Sequence, residues 1–192
     1  MNEILKLGLI LFIITAVSAS VLAVSNNITE PRIAEADRKA NDLAKQEVLE
    51  TAEEFDILDE GKLKEVAGSN SNIIEINEGY SKEGEIVGYT FKTKVKGYGG
   101  EMELIIGIST EGEVTGINIL NHGETPGLGA NATESYFTDS FKNKLVDNEL
   151  VAVKDPSEDN EVQALTSATI TTTAVVDGVN IVREIYNSKL AN

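Results

Sequence analysis

Between Leu7 and Val24 the chain is apolar with almost no interruption, broken by Thr15, Ser18, Ser20 and a few small residues. As a helix rising about 1.5 Å per residue, that run reaches across a hydrocarbon core roughly 30 Å thick. A secretory signal peptide is the competing reading, because Val17-Ser18-Ala19 and Val21-Leu22-Ala23 offer small residues for cleavage. The stretch exceeds an ordinary signal core, which favours a retained transmembrane anchor over residues 1–25. Under either reading the rest of the chain is exported. Lys6 and the amino terminus precede the span and Asn26-Asn27-Ile28-Thr29-Glu30 follows it. That charge asymmetry favours a cytoplasmic N-terminus and a soluble part on the outer face of the cell membrane.

Composition turns highly charged after Val24, and this shift marks the end of the anchor. The 192 residues, 41% of them hydrophobic, suffice for one globular domain with appendages. With 32 acidic against 16 basic residues the net charge is -16, a surface that repels phosphate backbones and argues against nucleic-acid binding. Cysteine is absent, so disulfides, thiolate metal sites, iron–sulfur ligation and a thiol nucleophile are excluded. One histidine, His122, rules out a His-rich metal centre built from this chain alone, and no acidic run has the spacing of a calcium loop.

Apolar residues from Ile33 through Ala36, Ala40, Leu43, Ala44, Val48, Ala52 and Phe55 recur near the helical period, with Pro31 suited to a first turn. They predict a connecting helix within residues 26–60. Four β-branched runs follow, at Asn72–Ile76, Ile86–Val95, Met102–Ile108 and Val114–Asn121, with Thr110-Glu111-Gly112 as a hairpin turn. Alternation at Tyr89, Phe91, Thr93 and Val95 predicts antiparallel strands with one face buried and one wet. Residues 132–145 read as a short helix with Tyr136, Phe137, Phe141 and Leu145 inward, and 151–153 as a short strand. A last amphipathic helix is expected over residues 167–187. The fold class is α+β: an antiparallel sheet flanked by helices, with the binding domain spanning residues 61–192.

Two glycine clusters interrupt the strands, Gly97-Tyr98-Gly99-Gly100 and Gly123-Glu124-Thr125-Pro126-Gly127-Leu128-Gly129. Each alone reads as a turn, Pro126-Gly127 being a type II signal; the second lacks the spacing of a P-loop or a dinucleotide fingerprint. Thr166-Ser167-Ala168-Thr169-Ile170-Thr171-Thr172-Thr173 crowds hydroxyls and small side chains just before the last helix. Taken alone, these residues are ordinary helix caps. The alternative is a phosphate ester at a helix N-terminus, where free N–H groups and the positive end of the dipole favour an anion.

His122-Gly-Glu-Thr-Pro-Gly-Leu-Gly129 and, further on, Ala164-Leu165-Thr166-Ser167-Ala168-Thr169 together resemble one family. It is the membrane-anchored, FMN-binding G subunit of Rnf-type electron transport complexes, related to the C subunit of the sodium-translocating NADH:quinone oxidoreductase. The resemblance extends to the anchor and the Tyr98-Gly99-Gly100 turn, hence to most of the chain. It implies covalent FMN, esterified through its phosphate to Thr169 by a flavin transferase that uses FAD. It also implies membrane subunits of the same complex as partners and a role as electron carrier rather than as an enzyme on its own. The complex couples ferredoxin oxidation and NAD reduction to ion translocation. The family motif reads Asp, two variable residues, Ser or Thr, Gly, Ala, Thr; this chain has Gln163 in the Asp position and Ser167 in the Gly position.

On that reading Ser167 and Ala168 leave room for the transferase and the phosphate. Gly127 and Gly129 let the loop lie against the isoalloxazine, Leu128 gives an apolar face, and Thr125 or Glu124 a polar contact. Tyr98 either stacks on the flavin or fills its turn. His122 has no nucleophile beside it in the sequence, which favours a structural hydrogen bond. Two other classes stay open on the residues alone: a membrane-tethered extracellular small-ligand binding or sensor domain with Thr169 as a cap, and a stand-alone flavoprotein shuttle.

Overall fold

The computed structural model describes residues 2–68 and 70–191, so Met1, Ser69 and Asn192, which the expected anchor and domain include, lie outside the described residues. The chain divides into two compact units, Met1–Ala40 and Asn41–Asn192. Helix α1 runs Glu3–Val48, and an 18-residue window near its start has a mean hydropathy of 2.6 with no residue buried. It is long and apolar enough to cross a membrane.

Pro31 lies inside α1 rather than at the first turn of a second helix. The residues before it do not cap a new start. Thr29 Oγ1 turns back to donate to the Ser25 carbonyl at 3.0 Å, whereas an N-cap hydroxyl accepts from N–H groups ahead of it. Ile33 and Leu43 are exposed, and burial begins only at Ala44 and Val48. The helix also stops short of the expected Phe55. Leu49 and Ala52 turn into the interior, Gln46 Nε2 donates to the Ala52 carbonyl at 2.7 Å, and Glu54–Ile57 becomes strand β1. Helical spacing at Phe55 yields to sheet pairing, Phe55 standing opposite Gly79.

Helix α2, Glu60–Ala67, was not foreseen; Asp59 caps it, accepting from the Gly61 and Lys62 N–H groups at 2.9 and 3.0 Å. Strands β2 (Ile73–Tyr80), β3 (Ile86–Lys96), β4 (Glu101–Ser109) and β5 (Glu113–Asn121) match the β-branched runs. With β1 and the two-residue β6 (Lys144–Leu145) they form a six-stranded antiparallel sheet in chain order. From β2 to β5 the strands follow as a meander through short turns, whereas β6 is reached only after the long segment that follows β5.

The region expected as one helix over 132–145 is broken up. A 3-10 turn, Gly129–Thr133, precedes the four-residue α3, Ser135–Thr138, and a second 3-10 turn, Asp139–Phe141, follows it. Phe137 and Phe141 are fully buried and pack edge to face at 5.3 Å, but Tyr136 and Leu145 are exposed. Asn143, at φ 61°, ends helical continuation, and Lys144 and Leu145 pair with β5 instead. Strand β7, Val151–Val153, pairs in parallel with an unforeseen β8, Glu161–Gln163.

Helix α4, Thr169–Lys189, lies on the sheet, with Val175, Val179 and Val182 in the main core beside Phe91 and Val95. The expectation of one wet sheet face fails in part. Ala44 and Val48 of the last turns of α1 pack on Ile105, the Thr115 hydroxyl donates to the Val48 carbonyl, and Thr90 is buried beside Asn77. A sheet covered on both sides leaves its loop ends as the place for a ligand.

Candidate functional site

At one end of the sheet, the loop after β5 meets the turn between β3 and β4 and the start of α4. Thr125 to Leu128 forms the turn: the Leu128 N–H donates to the Thr125 carbonyl at 3.1 Å, and Gly127 at φ 76° takes the position where a type II turn requires positive φ. His122 Nδ1 accepts from the Glu124 N–H at 3.3 Å, a local structural contact.

Glu124 is the hinge pin of the arrangement. Its side chain is buried; Oε1 accepts from the Gly99 N–H at 2.9 Å and Oε2 from the Thr171 hydroxyl at 2.5 Å. One carboxylate thereby ties the Tyr98-Gly99 turn to the first turn of α4. Gly97 and Gly129 leave the space this carboxylate occupies, since a Cβ on either would collide with it. Gly129, expected against a ligand, instead accommodates Glu124 and Thr171; it still reaches the cavity wall.

The three segments enclose a cavity of about 570 Å³. Of the nine residues singled out in the sequence, it is lined by Tyr98, Glu124, Thr125, Leu128 and Gly129 from the loops and by Ser167, Ala168 and Thr169 from the helix start. Gly127 is not part of the wall; it shapes the turn. Ile170 and Thr171 line the cavity as well and were not singled out. Their signal was present in the hydroxyl run, but which threonine turns inward depends on how α4 is rotated against the sheet.

That helix start is not capped in the ordinary way. Ala168 occupies the N-cap position and makes no side-chain cap hydrogen bond. Thr171 is engaged by Glu124, and Thr172 is buried, accepting from the Leu165 N–H at 3.1 Å and donating to the Ala168 carbonyl at 3.0 Å. Thr169, the first helical residue, is exposed at the cavity wall. The cap reading therefore fails for Thr169, and the uncapped N-terminus faces a space of the size that small ligands occupy. The fit to FMN is good on these grounds: a helix N-terminus for a phosphate, an exposed hydroxyl beside it, and the exposed faces of Tyr98 and Leu128 for a flat ring.

Comparison with known proteins agrees with this geometry. A family model described as an FMN-binding domain matches residues 97–184, and one described as the RnfG N-terminal region matches residues 1–48. The G subunit of the Na(+)-translocating ferredoxin:NAD(+) oxidoreductase complex of Acetobacterium woodii is 41% identical, over 96% of this chain and 92% of that one. The chain belongs to the G-subunit family of Rnf-type complexes. The G subunit of an ion-translocating oxidoreductase complex of Methanosarcina acetivorans is 29% identical over 93% of the chain and 92% of its own length. The fold is also that of the C subunit of the Na(+)-translocating NADH-quinone reductase from Parabacteroides distasonis, with a TM-score of 0.59 at 18% identity, covering 81% of this chain and 94% of that one.

In this member of the family, both departures from the motif acquire a structural meaning. Ser167 has φ 60°, the left-handed conformation that glycine adopts without strain. Gln163 Nε2 donates to the Lys154 carbonyl at 2.7 Å, fastening the end of β8 to the loop after β7; an ionised aspartate has no donor for that bond.

Proposed function

We propose that this protein carries FMN as a phosphoester on Thr169 and relays electrons on the outer face of the cell membrane. The membrane span lies within residues 1–25, the N-terminus is cytoplasmic, and the partners are the other membrane subunits of a ferredoxin:NAD oxidoreductase complex coupled to ion translocation. The observation that carries this reading is the exposed Thr169 hydroxyl at an uncapped helix N-terminus that opens into the cavity.

In maturation, Thr169 Oγ forms a bond to the phosphorus of the FMN half of FAD on a flavin transferase. The pyrophosphate bond breaks, AMP leaves, and the hydroxyl proton passes to the transferase. Exposure of Thr166, Ser167 and Ile170 around Thr169 leaves that enzyme room to approach. The resulting phosphodiester keeps about one negative charge, which the end of α4 offsets by about 0.3–1 kcal/mol. When bound, the flavin exchanges one or two electrons with neighbouring carriers. Tyr98 and Leu128 exclude water from a ring held there, and Thr125 supplies a polar edge.

Co-expression with a flavin transferase should give a yellow protein whose colour survives denaturation and whose mass includes one FMN moiety. Thr169→Val should abolish the addition and Thr169→Ser retain it. Unmodified wild-type protein, or flavin retained by Thr169→Val, would overturn the assignment and favour a small-ligand binding domain.

A further inference from the structure

Glu124 is the one charged side chain on the wall of the cavity among the described residues, and it is buried. None of the ion pairs among the described residues includes it. Both carboxylate oxygens instead accept from neutral donors, the Gly99 N–H and the Thr171 hydroxyl, the pattern that an ionised carboxylate satisfies. Two glycines, Gly97 and Gly129, have given up any side chain to hold it. So much accommodation for a buried charge without a counter-ion is costly unless the charge has a use.

Resting on the flavin-site reading above, we infer that Glu124 is a positioning residue that sets the distance between the Tyr98 turn and the start of α4, and that its charge holds the potential of a flavin bound there low. Reduction adds electron density to the ring system, and a fixed negative charge in a site partly shielded from water opposes that addition. The protein's surface carries many further acids, but charges beyond about 8 Å are largely screened at physiological salt. A buried charge on the cavity wall is not screened in this way. The Gly99 N–H and Thr171 hydroxyl disperse the charge without cancelling it.

Glu124→Gln separates the two roles, because the amide keeps the shape and its oxygen still accepts from Gly99 while the charge is removed. Midpoint potentials are measured by spectroelectrochemistry on full-length protein shown by mass to carry one flavin. Glu124→Gln should raise the potential, the reduction equilibrium constant changing about tenfold, which is about 30 mV for a two-electron couple. Glu124→Asp, which retains the charge, should stay near the wild type. On flavin-free protein, exchange of the Gly99 amide with deuterium should quicken at least tenfold in Glu124→Ala and remain slow in Glu124→Gln. An unchanged potential in Glu124→Gln, a rise in Glu124→Asp, or unaltered Gly99 exchange in Glu124→Ala overturns the inference. Should Glu124→Gln not fold or not take up flavin, the potential of flavin-loaded Glu124→Ala takes its place: a rise supports the charge role and an unchanged value overturns it. Absence of flavin from the wild type, by contrast, defeats the Thr169 assignment and leaves the Gly99 result to judge the strut alone.

Discussion

At the scale of single residues, the hydroxyl run shows how neighbouring side chains of one type receive different tasks. Thr169 faces the cavity, Thr171 meets Glu124, and Thr172 folds back on Leu165 and Ala168. The sequence singled out Thr169 through a motif, and nothing local distinguished Thr171, whose partner lies 47 positions away. Ser167 is the strained member. A left-handed backbone costs an L-residue about 1–2 kcal/mol, part of which glycine gives back through its freedom in the unfolded chain. Ser167→Gly should therefore stabilise the protein by about 0.5–1 kcal/mol, seen as a rise of about 1–4 °C in the melting temperature. A lowered melting temperature would show that the serine side chain has a stabilising contact that outweighs its backbone.

Among the elements, the strands were legible because β-branched runs and turn glycines are local signals, and the hairpin at Thr110-Glu111-Gly112 joins β4 to β5 as expected. The segment over 132–145 was not: its aromatic spacing is helical, yet sheet pairing of Lys144 and Leu145 ends the helix early. Phe137 and Phe141 hold this irregular stretch on the core, and Phe137→Ala should cost about 3–5 kcal/mol in urea unfolding. A loss under 1 kcal/mol would mean that the segment is only loosely attached. The acidic loop before β8 is organised by Glu161, whose Oε2 accepts from the Ser157 and Glu158 N–H groups at 2.8 and 3.1 Å. These bonds, the one from Ser157 first, draw its carboxyl below the ordinary value. A depressed folded value means that the loop's order is fully present above the ordinary glutamate range and is lost as pH falls through the lower, folded one. The Ser157 amide resonance should titrate with a midpoint below that range, and Glu161→Gln should flatten the curve; a midpoint in the ordinary range would remove the claim.

For the whole molecule, the proposed topology makes a prediction of its own: protease added to intact spheroplasts should digest the part after the span, and inverted vesicles should protect it. The reverse pattern would place the flavin site on the cytoplasmic side. The apolar span, the exclusion of thiol chemistry and the antiparallel strands could be read directly, because each follows from composition or short-range periodicity. The family could be read as well, since the E-T-P-G-L-G loop and the threonine motif stand in the chain at recognisable spacing. Packing settled that α1 gives way after Val48, that Glu54–Ile57 joins the sheet, and that Glu124 bridges two loops and a helix. Local pattern records which conformations a segment tolerates; contacts between residues far apart in the chain choose among them, because burial and hydrogen-bond satisfaction are properties of the assembled neighbourhood.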